Sequence, residues 1–124
     1  MLLNGIQHQE MELIKRGDIY WVNLDPIEGS EIGKTRPAVV ISNDINNELA
    51  DTVTILPVTS SVGKIYPFEV FIPRGIANMP GDSKSKANQI RTVDKKRIKS
   101  LIGTLPDTTL KEIEKAVKIH LDFK

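Results

Sequence analysis

The chain of 124 residues contains no cysteine. Disulfides and thiolate metal sites are therefore excluded, and the absence suits a reducing cytoplasm. Histidine is nearly absent too. His8 lies in the N-terminal stretch and His120 beside an apolar helical stripe, so neither a metal cluster with ligand spacing nor a two-histidine acid/base pair is expected. Aromatic residues are only 5% of the chain, which argues against a long base-stacking platform. Formal net charge is +1, without the basic excess usual in nucleic-acid-binding domains, although a few phosphates need only a few cations. No apolar run approaches the roughly 20 residues of a membrane span. The N-terminus "MLLNGIQHQEMELIKRGD" does not read as a signal peptide. No glycine-rich phosphate loop is present, and Glu28 and Glu31 share a loop that does not fix the separation a carboxylate pair needs.

What remains is an ordinary globular composition, 40% hydrophobic and 27% charged, at a length that suits one core. Residues 1–13 read as a flexible extension and 14–124 as a single domain. "DIYWVNL" (18–24) reads as a strand ended by Asp25-Pro26, and "PAVVIS" (37–42) as a strand buried on both faces. "NDINNE" (43–48) is rich in turn formers and long enough for a short helical turn. "TVTILPVTS" (52–60) is a strand whose Pro57 implies an edge or a bulge. "FEVFIP" (68–73), "ANQIRTV" (87–93) and "IKSLIGTL" (98–105) complete the strands. "RGIANMPGDSKSK" (74–86) reads as the most mobile internal segment. A last helix starts with Asp107 as its N-cap and carries Leu110, Ile113, Val117 and Leu121 as one apolar stripe. Short strands with turns between them predict a mainly β (α+β) domain, a small barrel or rolled sheet with a terminal helix.

Polar side chains at strand ends are the chemical candidates. Arg36 precedes Pro37, which biases it to an extended conformation at the mouth of a buried strand. Its guanidinium can give two parallel donors to a phosphate, yet local sequence alone favours a solvated arginine paired with Glu31. Thr59, Ser60 and Ser61 end a strand, where hydroxyls bind a ligand or merely turn the chain. Along "NQIRT" (88–92), Asn88, Ile90 and Thr92 alternate with Gln89 and Arg91, whose amide and guanidinium suit base edges as well as an exposed strand face.

Taken together, "RGDIYWVNLDP" (16–26), "GSEIGKTRPAVVIS" (29–42), "ILPVTS" (55–60), "YPFEV" (66–70) and "QIRTVDKKRI" (89–98) resemble, in order and spacing, the MazF/PemK family of toxin endoribonucleases. The resemblance spans about residues 14–122. It implies an SH3-like small β-barrel with a C-terminal helix, assembled as a homodimer in the cytoplasm. It implies metal-independent, cofactor-free, sequence-selective cleavage of single-stranded RNA, mostly mRNA, to 2′,3′-cyclic phosphate and 5′-hydroxyl ends. It implies an antitoxin whose C-terminal segment occupies the RNA groove and through which alone DNA would be contacted. Matched to that pattern, Arg36 and Thr59 are the catalytic residues. Gly29, Ser30, Glu31, Lys34, Ser60, Asn88, Gln89 and Arg91 contact the substrate. Asn88 departs from the acidic residue that relatives often carry there, so base preference does not carry over. The Gly-Ser-Glu half of the loop is expected to act as a flap that orders on binding RNA or antitoxin. Gyrase-directed toxins share the barrel, so a gyrase poison is one alternative and a non-catalytic RNA- or antitoxin-binding barrel another.

Overall fold

The computed structural model describes residues 13–124. The expected N-terminal extension, with His8, lies outside the described residues apart from Leu13. Seven antiparallel strands form the sheet: β1 (Asp18–Asn23), β2 (Thr35–Val40), β3 (Thr52–Thr59), β4 (Glu69–Ile72), β5 (Ser83–Lys86), β6 (Arg91–Asp94) and β7 (Ile98–Thr104). The spatial order is β4-β5-β3-β2-β1-β7, with β6 beside β3. A short helix α1 (Asp44–Leu49) follows β2, and α2 (Asp107–Leu121) ends the domain.

Period-two patterning explains how one sheet serves two cores. Ile19, Val39, Leu56 and Val58 point to one face, where Ile113 and Ala116 of α2 cover them. Tyr20, Val22, Ala38, Val40, Val53 and Ile55 point to the other face, where Ile14, Leu24 and Val93 close a second core. "PAVVIS" is thus buried on both faces, as its unbroken apolar run predicts, although the strand opens two residues earlier at Thr35.

The sheet is rolled. Two register shifts between β1 and β7 bend β1. The edge strands β4 and β7 do not pair, but the turn after β4 bridges them. Asn78 Nδ2 donates to the Ile102 carbonyl at 3.1 Å. The Ala77 carbonyl lies so close to Gly103 that a Cβ there would sit 2.2 Å from its oxygen. Only glycine lets the two edges approach this closely.

Four sequence expectations are corrected. Pro57 is not at an edge: β3 is central and changes partner at that point. Residues 52–55 pair with β6 and 58–59 with β5, and Pro57, lacking a ladder donor, falls in the gap. The segment 74–86 is not uniformly a loop, because Ser83–Lys86 forms β5, paired on both sides. Its lysines are tolerated there because the buried Glu69 carboxylate receives Lys84 Nζ at 2.9 Å and Lys86 Nζ at 3.1 Å. Residues 87–89 make a 3-10 turn rather than strand. Pro106, not Asp107, caps α2, and the helix buries Ile113 and Ala116 while Leu121 is exposed. The turn formers at 43–48 do build a helix: Asn43 Oδ1 accepts the Asn46 N–H at 2.8 Å.

Candidate active site

The site lies where the ends of β1, β2 and β3 meet the turn before β6. The β1–β2 loop is braced mostly through its backbone. Asp25 Oδ1 accepts the Lys34 N–H at 2.8 Å, and Glu31 Oε1 accepts the Glu28 N–H at 3.0 Å. Arg97 Nη1 donates to the Asn23 carbonyl at 3.1 Å and also to that of Asp25, while Arg91 Nη1 donates to the Leu24 carbonyl at 3.0 Å. Gly33 is packed so that an added Cβ would lie 2.5 Å from Asp25 Oδ1 and 2.9 Å from the Ile27 side chain.

Arg36 stands on β2 opposite Val22 and is half-buried. Its Nε donates to the Gly33 carbonyl at 3.0 Å. That bond fixes the side chain and leaves its terminal nitrogens for a ligand. Among the described residues Arg36 forms no ion pair; the Glu31 carboxylate goes to the Glu28 N–H instead. The solvated Arg36–Glu31 pair is thus not what the fold builds. Thr59 ends β3, and its Oγ1 accepts the Ser61 N–H at 3.1 Å, which leaves the hydroxyl proton to be donated elsewhere.

Arg36 and Thr59 line one depression of about 400 Å³ together with Glu31, Lys34, Asp25 and Ile27. A second depression of about 470 Å³ is lined by Ser30, Glu31, Asn88, Gln89, Ile90 and Arg91. Glu31 belongs to both. Of the residues expected to touch substrate, Gly29 and Ser60 line neither hollow, and Gly29 is a left-handed turn residue with φ 53°. Asp25 and Arg97 brace the loop at positions that the sequence did not single out. Asp25 read only as a strand terminator, and Arg97 only as part of the stretch "QIRTVDKKRI".

Gln89, which lines the second hollow, is bonded to the loop. Its Oε1 accepts the Ile32 N–H at 3.2 Å and its Nε2 donates to the Ser30 carbonyl at 3.4 Å. The loop backbone thus offers the amide one donor and one acceptor side by side, as a base edge does. The expected flap is therefore already tied down, by the residue expected to read the substrate. Among the described residues no group of three or more His, Asp or Glu side chains is placed to hold a metal ion. No described helix is long and apolar enough to cross a membrane.

The site thus joins a fixed arginine, a strand-end hydroxyl and a neighbouring amide on a small rolled, barrel-like β domain. Comparison with known proteins places it more narrowly. The chain belongs to the family of PemK-like, MazF-like toxins of type II toxin–antitoxin systems, whose model matches residues 15–121. It is 39% identical over 116 residues to the endoribonuclease MazF9 of Mycobacterium tuberculosis, covering 90% of this chain and 98% of that one. The crystal structure of MazF from Deinococcus radiodurans is 29% identical with a TM-score of 0.78, covering 89% of this chain and 97% of that one. A MazE–MazF crystal structure from the same organism is 29% identical with a TM-score of 0.72, covering 90% and 98%.

Proposed function

We propose that this chain is the toxin of a toxin–antitoxin pair and acts as a sequence-selective endoribonuclease on single-stranded RNA, chiefly mRNA, in the cytoplasm. The observation that carries this reading is the shared depression of Arg36 and Thr59. One hydrogen-bonding position of each is used by the protein, Arg36 Nε and a lone pair of Thr59 Oγ1, which leaves the remaining donors for a phosphate in the hollow that both line.

The chemistry follows from those donors. The RNA 2′-hydroxyl gives up its proton as its oxygen attacks the adjacent phosphorus, and the P–O5′ bond breaks as the leaving 5′ oxygen takes up a proton. The products are a 2′,3′-cyclic phosphate and a 5′-hydroxyl. The nucleophile is part of the substrate, so the step requires neither an activated water nor a metal to generate one. Charge builds on the non-bridging oxygens as the phosphorus becomes five-coordinate. The Arg36 fork neutralises it with two parallel N–H donors, and the Thr59 hydroxyl adds a third. Neither residue is the general base, since arginine does not lose its proton and a threonine hydroxyl is a poor acceptor of one. Gln89, with Asn88, Arg91 and Ser30 beside it, reads a base in the second hollow. For a base to reach Gln89 the loop backbone at Ser30 and Ile32 must release the amide. An antitoxin segment laid in the same hollows would block cleavage, and the active unit is a homodimer.

The test is incubation of the purified protein with mixed-sequence single-stranded RNA in EDTA, followed by end-group analysis. Cleavage with 5′-hydroxyl ends is expected. Intact RNA together with inhibition of gyrase supercoiling would replace the nuclease with a gyrase poison. Neither activity would leave a binding barrel.

A further inference from the structure

We propose that Asp25 is a positioning residue for the cleavage step: its carboxylate clamps the peptide group between Gly33 and Lys34, and the other end of that peptide anchors the Arg36 fork. The inference rests on the ribonuclease reading and adds to its site a residue that acts through the backbone.

Lys34 is a backbone outlier. Its φ is 66°, in the left-handed region that a lysine rarely adopts. Such a conformation persists only where the surroundings impose it, and it gathers at functional sites. Here the end of β1 imposes it. Asp25 Oδ1 accepts the Lys34 N–H at 2.8 Å, and the Leu24 N–H donates to the Lys34 carbonyl at 2.8 Å. The end of β1 is itself held. Arg91 Nη1 donates to the Leu24 carbonyl at 3.0 Å, the Asp25 N–H donates to Asn23 Oδ1 at 3.1 Å, and Arg97 Nη1 donates to the carbonyls of Asn23 and Asp25. Asp25 is thus a fixed point to which the left-handed turn is tied.

The Lys34 N–H and the Gly33 carbonyl belong to one peptide group. Asp25 takes the N–H, and Arg36 Nε donates to the carbonyl at 3.0 Å. A peptide is planar, so fixing the direction of its N–H fixes the direction of its C=O. Released from Asp25, Lys34 has reason to leave the left-handed region, and the peptide would turn its carbonyl away from Arg36. The approach is close as well, since a Cβ on Gly33 would lie 2.5 Å from Asp25 Oδ1. Asp25, Gly33, Lys34 and Arg36 all line the first hollow, where Glu31 is the other carboxylate. Among the described residues Asp25 makes no ion pair. What its carboxylate holds is a peptide, and a neutral acceptor of the same shape can hold it too.

The test compares Asp25→Ala, which removes the acceptor, with Asp25→Asn, which keeps one. Asp25→Ala should lower the single-turnover rate about tenfold or more, because a displaced fork costs the transition state most. Affinity for 2′-O-methyl RNA, which lacks the nucleophile, should stay within about threefold of wild type. Asp25→Asn should regain most of the lost rate. In a Lys34→Gly background glycine adopts the left-handed turn unaided, so Asp25→Ala should cost less there than beside Lys34. A readout without RNA is the Arg36 Nε–H in proton–nitrogen NMR spectra, identified by its loss in Arg36→Lys. Its exchange with solvent should quicken in Asp25→Ala and not in Asp25→Asn. Unchanged exchange in a folded Asp25→Ala protein overturns the positioning role, whatever the cleavage assay gives. Equal rate losses in Asp25→Asn and Asp25→Ala overturn it too, because the charge and not the peptide would then matter. A protein that shows the exchange effect but cuts no RNA overturns the nuclease reading and leaves the clamp standing.

Discussion

Removal of the Arg36 fork is the sharpest perturbation of the proposed chemistry. The side chain is half-buried and makes one hydrogen bond to the protein, from Nε to the Gly33 carbonyl at 3.0 Å. Loss of that bond costs about 1 kcal/mol of stability, so Arg36→Ala should fold and melt only a few degrees low. The effect on rate is of another order. Deleting one preorganised donor aimed at developing charge lowers the chemical step by about 10²–10³, or roughly 2.7–4 kcal/mol. Arg36→Ala removes two such donors and the charge, so a loss of about 10³ or more is expected. Arg36→Lys keeps the charge without the fork and should lose about 10². Thr59→Val keeps the shape of the strand end but has no proton to give, and should also lose about 10².

Single-turnover cleavage of a fluorogenic RNA in EDTA reads these values free of product release, with circular dichroism as the fold control. Both residues act on one phosphate, so the double variant should lose less than the product of the single losses. A folded Arg36→Ala protein cleaving within tenfold of wild type would refute the assignment. Full additivity would mean that the two side chains do not share a phosphate.

Other consequences follow from the surrounding network. Gly33→Ala forces a Cβ against Asp25 Oδ1 and Ile27, and moves the carbonyl that anchors Arg36. Cleavage should fall about tenfold or more for a loss of only about 1 kcal/mol, and a variant that loses stability without activity would contradict this. Gln89→Ala removes both bonds to the loop, so amide exchange at Ile32 should quicken and base preference should relax. Unchanged exchange would show that Gln89 does not tether the loop. Burial raises the Glu69 pKa, but the Tyr66 N–H and the Lys84 and Lys86 ammoniums outweigh it and hold the carboxyl below its ordinary 4.5. A depressed native value supplies stability that is present above the unfolded value and lost as pH falls through the native one. The melting temperature should therefore drop on acidification below pH 4.5, and Glu69→Gln should flatten that drop. A Glu69→Gln melting curve with the wild-type acid slope would sink the linkage. Lys84→Met leaves Glu69 buried with one ammonium instead of two and should cost about 3 kcal/mol in chemical denaturation.

The parts of this molecule that sequence reveals are those whose partners are generic. β1, β2, β3 and α2 bury apolar faces against whatever apolar surface is available, so periodicity alone locates them. β5 has no such pattern. "SKSK" becomes a strand only because Glu69 waits across the sheet, a pairing of distant residues that local reading cannot see. Asn88 and Gln89 were placed on a strand by alternation, yet a 3-10 turn brings Gln89 round to the loop. Arg36 and Thr59 were legible because family resemblance fixes side chains, and their use is a matter of side chains. The framework that aims them is different in kind. Arg36, Arg91 and Arg97 each donate to main-chain carbonyls between residues 23 and 33. A carbonyl has no residue identity, so no motif records that these arginines hold one loop. It follows that much of the loop's own sequence can vary while its position is kept, so long as the arginines, Asp25, Glu31, Gln89 and the close approach at Gly33 remain. Selectivity for RNA can then change within the loop without dismantling the phosphate site beneath it.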